Sequence, residues 1–186
     1  MFELNKKLET EIEINGQIYP LNMAFNNVMD FLEIVGNASL NGLERMHYGL
    51  YQLLGTVPEL TAEELFKVFN EILTNFIQDG EQEVEVDLGG NPMPIKKEKP
   101  VQDLKHDAPY IFVSFKQAYG IDLIEEQGKL DWRLFKIYLR ELPDDSRLKQ
   151  IVQIRVQKPP TGKGTAKERE RMQKLKRIYA LPETDE

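Results

Sequence analysis

The chain has 186 residues, 41% of them hydrophobic and 30% charged, and it carries a net charge of −7. This length and composition predict one soluble domain with a modest core and a wide solvated surface. There is no cysteine, which excludes disulfides, thiolate metal sites and cysteine nucleophiles, and which fits a reducing compartment. Since no apolar run approaches the roughly 18 residues of a membrane span and the charged N-terminus is no signal peptide, we expect a cytoplasmic protein.

The first predicted element is a β-hairpin at about residues 10–21, in the sequence EIEINGQIYP. Its Asn-Gly pair at 15–16 lies between two short alternating runs, which is the strongest short-range hairpin signature. Ile12 and Ile14 share one face of the first strand, whereas Pro20 limits the second strand to an edge or an end. Because a two-stranded hairpin is marginal alone, we expect it to pack on helices.

Three helices with broad apolar faces are predicted next, because apolar residues recur at spacings of three and four. The first ends at Gly36-Asn37, the second ends at Gly55, and the third begins at Thr61 with capping-box spacing. The apolar residues of the three faces are Phe25, Val28, Met29, Leu32 and Val35; Leu43, Met46, Leu50, Leu53 and Leu54; and Leu65, Phe69, Ile72, Leu73 and Phe76.

Residues 79–102 differ in character from the helices on either side. They contain glycines, three prolines, an acidic cluster and then a basic cluster. We predict a flexible loop here, although the alternation around Val84 and Val86 would also suit a short strand. A loop this long is uncommon in a compact domain unless it is flexible or functional.

The stretch 107–155 holds the only tryptophan and is predicted to form three helices with tight connections. Asp107 is placed to cap the first helix and Gly120 to end it. Asp131 can cap the second helix, and one of residues 144–146 can start the third. The predicted core residues of this stretch are Phe112, Phe115, Trp132, Phe135 and Leu139, and the third helix is lined by Leu148, Ile151, Val152 and Val156.

The sequence KPPTGKGT after Gln157 interrupts the helical pattern, and a basic amphipathic helix follows it. The predicted organisation is therefore one helical domain over residues 1–157, with a linker and helix over residues 158–186. The predicted fold is mainly α: a helical bundle with a small N-terminal β-hairpin and this basic C-terminal helix. Residues 158–177 carry a net charge of +6, whereas residues 1–157 carry −10.

The last helix is the candidate partner-binding element. It fits a helix packed on the body and a partner-binding helix about equally well, and a nucleic-acid contact less well. An acidic body does not resemble a nucleic-acid binder, whose whole domain is usually basic. The candidate partner-binding residues are Met172, Leu175, Ile178, Tyr179, Arg171 and Lys174.

Candidate chemistry is sparse. His47 and His106 are the only histidines, and neither has the further ligands that a metal site needs. A carboxylate cluster at residues 122–126 could form an acid–base pair, but it fits better a solvated helix start, where acids are favoured by the helix dipole. The glycine-containing turns match neither a P-loop nor a dinucleotide-binding fingerprint. We therefore predict no catalytic, cofactor-binding or metal site, and no enzyme activity.

The central stretch also carries a family resemblance. The patterns YIFVSFKQAYGIDL and GKL, then Trp132-x-x-Phe135, Leu142-Pro143 and IVQIR resemble the phage gene-product-fifteen family. That family belongs to the tail-gene region of siphophages and prophages of Gram-positive hosts. The opening EIEINGQIYPLNMAF and the closing KLKRIYALP also resemble the ends of the family, whereas residues 79–102 match poorly.

The resemblance implies a non-enzymatic role in tail assembly, as a chaperone for the tape-measure protein in the host cell cytoplasm. Other tail proteins and a second assembly chaperone are further candidate partners. A protein that stays in the finished virion as a structural tail component is the alternative, and it belongs to a different functional class.

Overall fold

The computed structural model describes residues 4–78, 100–162 and 164–182, so most of the predicted loop at 79–102 lies outside the described residues. Within these ranges the fold is mainly α with one N-terminal hairpin, as predicted. Its elements are β1 Glu11–Ile14, β2 Gln17–Pro20, α1 Phe25–Gly36, α2 Gly42–Leu54, α3 Ala62–Ile72 with a π-helical turn Leu73–Ile77, α4 Ala108–Tyr119, α5 Trp132–Arg140, α6 Arg147–Val156 and α7 Ala166–Ile178.

The chain separates into two compact units. The first unit combines residues 1–93 with residues 126–137, and the second combines residues 94–125 with residues 138–186. The predicted division into residues 1–157 and 158–186 stays a prediction.

The hairpin forms at the predicted Asn-Gly turn. Asn15 and Gly16 have φ values of 50° and 78°, the left-handed pair that a two-residue type I′ turn requires. The strands pair antiparallel, and Ile12 and Ile14 of β1 are buried while the alternate residues are exposed. The predicted inward face of the first strand is therefore confirmed.

In the first unit, α1, α2 and α3 meet at a glycine of α2. Gly49 is buried, and a Cβ at this position would lie 2.9 Å from the Phe31 ring. Phe31 is fully buried, and its ring lies 5.7 Å from the ring of Phe69 in α3. The absence of a side chain on Gly49 thus lets α1 and α2 approach closely enough to enclose Phe31.

The start of α5 completes the core of the first unit. The Phe135 ring stacks on Phe25 at 5.0 Å and on Trp132 at 5.6 Å. The Trp132 backbone N–H donates to the Met23 carbonyl, and the Asp131 carboxylate accepts the Arg133 N–H as a cap of α5. Trp132 and Phe135 are both buried.

The π-helical turn after α3 directs one carbonyl toward α5. The Ile77 carbonyl accepts from Trp132 Nε1 at 3.1 Å and from Lys136 Nζ at 2.7 Å. The last carbonyls of a helix lack partners within the helix. Here α5 supplies two donors for one of them, the Ile77 carbonyl. Sequence periodicity does not reveal this contact.

The core of the second unit lies between α4 and α6. Ile111, Phe115, Leu148 and Ile151 are buried, as is Leu139 near the end of α5, whereas Phe112 is half-buried. Val156 was predicted to line α6 but is 54% exposed.

The cap of α6 comes from another helix. Ser146 occupies the N-cap position, but its side chain makes no capping bond, and its buried hydroxyl has no hydrogen-bond partner among the described residues. Instead, the Ser114 hydroxyl of α4 accepts the Leu148 N–H at 3.0 Å. The predicted start of α6 is right in position, but the capping side chain is a different one.

Gly49→Ala should lower the free energy of unfolding by about 1–3 kcal/mol, since overpacking the Phe31 site outweighs the better helix propensity of alanine. Gly42→Ala in the same helix is the matched control, because nothing lies within 4 Å of the Cβ that it would add. Urea unfolding of both variants measures the difference. A Gly49→Ala protein as stable as Gly42→Ala would contradict the close approach.

Candidate functional site

Asp107 and Arg155 form a buried ion pair in the second unit. Asp107 was predicted to cap α4, but its side chain makes no capping bond. Its two carboxylate oxygens instead accept from Arg155 NH1 and NH2, each at 2.7 Å. The Asp107 side chain is fully buried and that of Arg155 is 8% exposed.

Burial alone would raise the pKa of Asp107, because it disfavours the charged carboxylate. The hydrogen bonds from Arg155 and from the Asp103 N–H outweigh burial, and they hold the pKa of Asp107 below its usual range. This carboxylate is therefore a structural anion rather than a candidate acid or base.

The remaining donors of Arg155 bind two other segments. Nε donates to the Tyr179 carbonyl at 2.6 Å, directly after α7, and NH1 donates to the Val101 carbonyl at 3.0 Å. One guanidinium in α6 thus connects the segments that precede α4 and follow α7.

Tyr179 is the main contact of the α7 region with the rest of the second unit. Its hydroxyl accepts from Arg147 NH2 at 2.7 Å, and its ring lies edge-on to Tyr110 at 6.2 Å. The Arg147 guanidinium lies over both rings, 5.9 Å from Tyr110 and 5.4 Å from Tyr179. Lys176 Nζ donates to the Arg155 carbonyl at 2.9 Å.

The predicted partner-binding residues lie on two faces of α7. Lys176 and Tyr179 contact α4 and α6. Met172 and Leu175 share their face at helical spacing and are half-buried. Ile178 is 61% exposed, and the spacing of three and four groups it with Arg171 and Lys174, which are also exposed. Ile178 and Tyr179 lie three and four residues after Leu175, so spacing places both on its face. Only the contacts of Tyr179 distinguish the two residues.

A groove of about 540 Å³ lies between α4 and the start of α6. Two of its lining residues, Tyr110 and Arg147, also contact Tyr179. A third, Val113, is 39% exposed. The lining is mixed, with apolar, amide and charged side chains. It comprises Pro109, Tyr110, Val113, Gln117, Asp145, Arg147 and Gln150.

The other candidate residues are the two histidines and the acids at 122–126. His47 and His106 are exposed. Asp122 accepts from Lys116 Nζ at 3.2 Å and from the N–H groups of Ile124 and Glu125. The hydrogen bond from the Lys116 ammonium lowers the pKa of Asp122.

The predicted helix start at residues 122–126 is wrong. Residues 123–129 form turns, although the Asp122 carboxylate accepts the Ile124 and Glu125 N–H groups as an N-cap residue would. Gly128 has a φ of 74°, and this left-handed conformation does not continue a helix. Over residues 4–78, 100–162 and 164–182, no three His, Asp or Glu side chains converge as metal ligands would. In the same ranges, no helix has the length and apolar character to span a bilayer.

A family model described as Bacteriophage Gp15 protein matches residues 4–181, which is nearly the whole chain. Neither a curated protein nor a solved structure matches.

Removing either partner of the Asp107–Arg155 pair should be costly, because the other charge is left buried. Asp107→Asn and Arg155→Met should each lower the free energy of unfolding by about 3–5 kcal/mol, and the double variant should lose less than their sum. Glu141→Gln is the control, since Glu141 and its partner Arg140 are 65% and 72% exposed and such pairs contribute about 0–1 kcal/mol. Additive losses in urea unfolding would contradict the coupling.

The depressed pKa of Asp107 also predicts a pH dependence of stability. Its contribution is fully present above the unfolded pKa of about 3.9, and it is lost as the pH falls through that value toward the lower folded pKa. The free energy of unfolding should therefore fall between about pH 5 and pH 3, and it should fall less in Asp107→Asn. Urea unfolding across that range is the measurement, and equal slopes would contradict the assignment.

Proposed function

Because the chain belongs to the Bacteriophage Gp15 protein family over residues 4–181, we propose that it is a tail-assembly chaperone that binds the tape-measure protein. Family membership is the observation that carries this proposal. In this role the protein binds apolar segments of a long helical client reversibly and catalyses no bond chemistry. It acts in the host cell cytoplasm, where other tail proteins and a second assembly chaperone are candidate partners.

The groove between α4 and α6 is the proposed client surface. An amphipathic helix binds a groove by its apolar side chains, and Val113 offers an exposed apolar contact in the lining. Gln117 and Gln150 can accept and donate hydrogen bonds at the polar edges of such a helix. A lining with one exposed apolar side chain and two amides favours reversible binding, because a permanent interface would be more apolar.

The face of α7 that carries Met172 and Leu175, here called the inner face, borders this groove through Tyr179. We propose that it takes part in client binding. Met172 and Leu175 on this face are only half-buried, so they retain apolar surface for a client. Methionine adapts to partners of varied shape because its side chain is unbranched and flexible. Arg171, Lys174 and Ile178 lie on the other face of α7.

Co-expression with the tape-measure protein of the same phage tests the client surface. Val113→Asp places a charge in the groove and should weaken client binding about tenfold, or about 1.4 kcal/mol. The soluble yield of the client should fall as a result. Ile124→Asp is the matched control, since Ile124 is 65% exposed in the same unit but outside the groove. Deleting residues 158–186 should also reduce the client yield.

Equal client yields with wild type, Val113→Asp and the deletion would contradict binding at this surface. Quantitative analysis of purified virions separates the chaperone from the structural alternative. A chaperone should be absent from finished particles, whereas a constant number of copies per particle would show a structural component.

A further inference from the structure

The outer face of α7 carries three positive charges with Glu170 among them, and it ends in an exposed isoleucine. Lys167, Arg171, Lys174 and Ile178, here called the basic stripe, recur at spacings of four, three and four and so share one helix face. All four are exposed. Within the ranges that the structure describes, none of their three charged side chains has an ion-pair partner. Across its residues 166–178, α7 buries no side chain.

Charge is divided unequally between the two units. The first unit, residues 1–93 and 126–137, contains seven basic and 18 acidic side chains, a net charge of −11. The second unit, which contains α7, has a net charge of +4. A surface on the first unit of another copy is therefore electrostatically complementary to the basic stripe.

The hairpin offers a surface of matching pattern. Glu11 and Glu13 point away from the buried side of β1 and are exposed. In the strand register Glu13 lies opposite Ile18, so the two share a face, and Ile18 is 68% exposed. These three residues, here called the acidic hairpin face, form two negative charges beside an exposed isoleucine.

We propose that the basic stripe of one molecule binds the acidic hairpin face of a second copy of this chain. Glu11 and Glu13 are about 6.6 Å apart along a strand, whereas Arg171 and Lys174 are about 4.5 Å apart along a helix. The long basic side chains span this difference. The helix crosses the hairpin obliquely, with Arg171 at Glu11, Lys174 at Glu13, and Ile178 covering Ile18.

The contact joins two different surfaces, so it is heterologous and each copy retains a free surface of each kind unless a ring closes. Exposed ion pairs are individually weak, so we expect a dissociation constant of about 0.1–1 mM at low salt. Screening shortens from about 10 Å at 0.1 M salt to about 3 Å at 1 M salt. The association should therefore disappear at about 1 M salt.

Sedimentation of the full chain over a range of concentrations tests the proposal. At low salt the weight-average mass should rise with concentration above the 21.6 kDa of one chain. Arg171→Glu with Lys174→Glu should abolish the rise, and so should Glu11→Lys with Glu13→Lys. An equimolar mixture of these two double variants should restore it, because each stripe then meets a complementary hairpin on the other variant.

Glu59→Lys with Glu71→Lys is the matched control, since both residues are exposed acids of the first unit outside the hairpin. It changes net charge as much as the hairpin variant but should leave self-association unchanged. Circular dichroism and thermal unfolding verify that every variant is folded.

Four outcomes would overturn the proposal. They are a wild-type mass that stays at one chain, double variants that still associate, a mixture that does not recover, and a control variant that also loses association. A fluorescence titration with a short DNA duplex examines the nucleic-acid interpretation. Binding that depends on Arg171 and Lys174, with a wild-type mass of one chain, would assign the basic stripe to phosphate instead.

Discussion

The second unit depends on the guanidinium of Arg155. Its planar fork binds the buried carboxylate of Asp107 and two backbone carbonyls, those of Val101 and Tyr179. A lysine has three donors on a single flexible nitrogen and cannot match this geometry. Because the carboxylate is fully buried, it is tolerated only while this cation is present. The segments before α4 and after α7 are thus held through one side chain of α6.

A related constraint recurs where helices end. The last carbonyls and first N–H groups of a helix lack partners within it, and here side chains of other helices supply several of them. The Tyr119 hydroxyl donates to the Tyr138 carbonyl, Lys149 Nζ donates to the Arg140 carbonyl, and the Ser114 hydroxyl accepts at the start of α6. With only 41% hydrophobic residues, the protein orients its helices by polar contacts as well as by apolar burial. Such contacts fix direction more strictly than apolar packing does, because hydrogen bonds depend on angle.

Features set by neighbouring residues could be predicted from the sequence. The Asn-Gly turn, the Thr61–Glu64 capping box, and the glycines that end α2 and α4 all formed as expected. Features set by distant residues could not. The inward turn of Asp107 depends on Arg155, and the face assigned to Tyr179 depends on Arg147. Spacing alone grouped Ile178 and Tyr179 as candidate partner-binding residues, and it could not divide α7 into the two faces on which the structure places them.

The discontinuous first unit has a consequence for synthesis on the ribosome. Residues 126–137 complete this unit, and Phe135 stacks directly on Phe25. Translation proceeds from the N-terminus at about 5–20 residues per second, so α1 emerges about 5–20 s before its aromatic partner is made. During that interval the apolar face of α1 lacks the ring that covers it, and the intervening chain must then close as a loop. The first unit therefore cannot complete its folding in the order in which it is made, and it waits for part of the second unit to be translated.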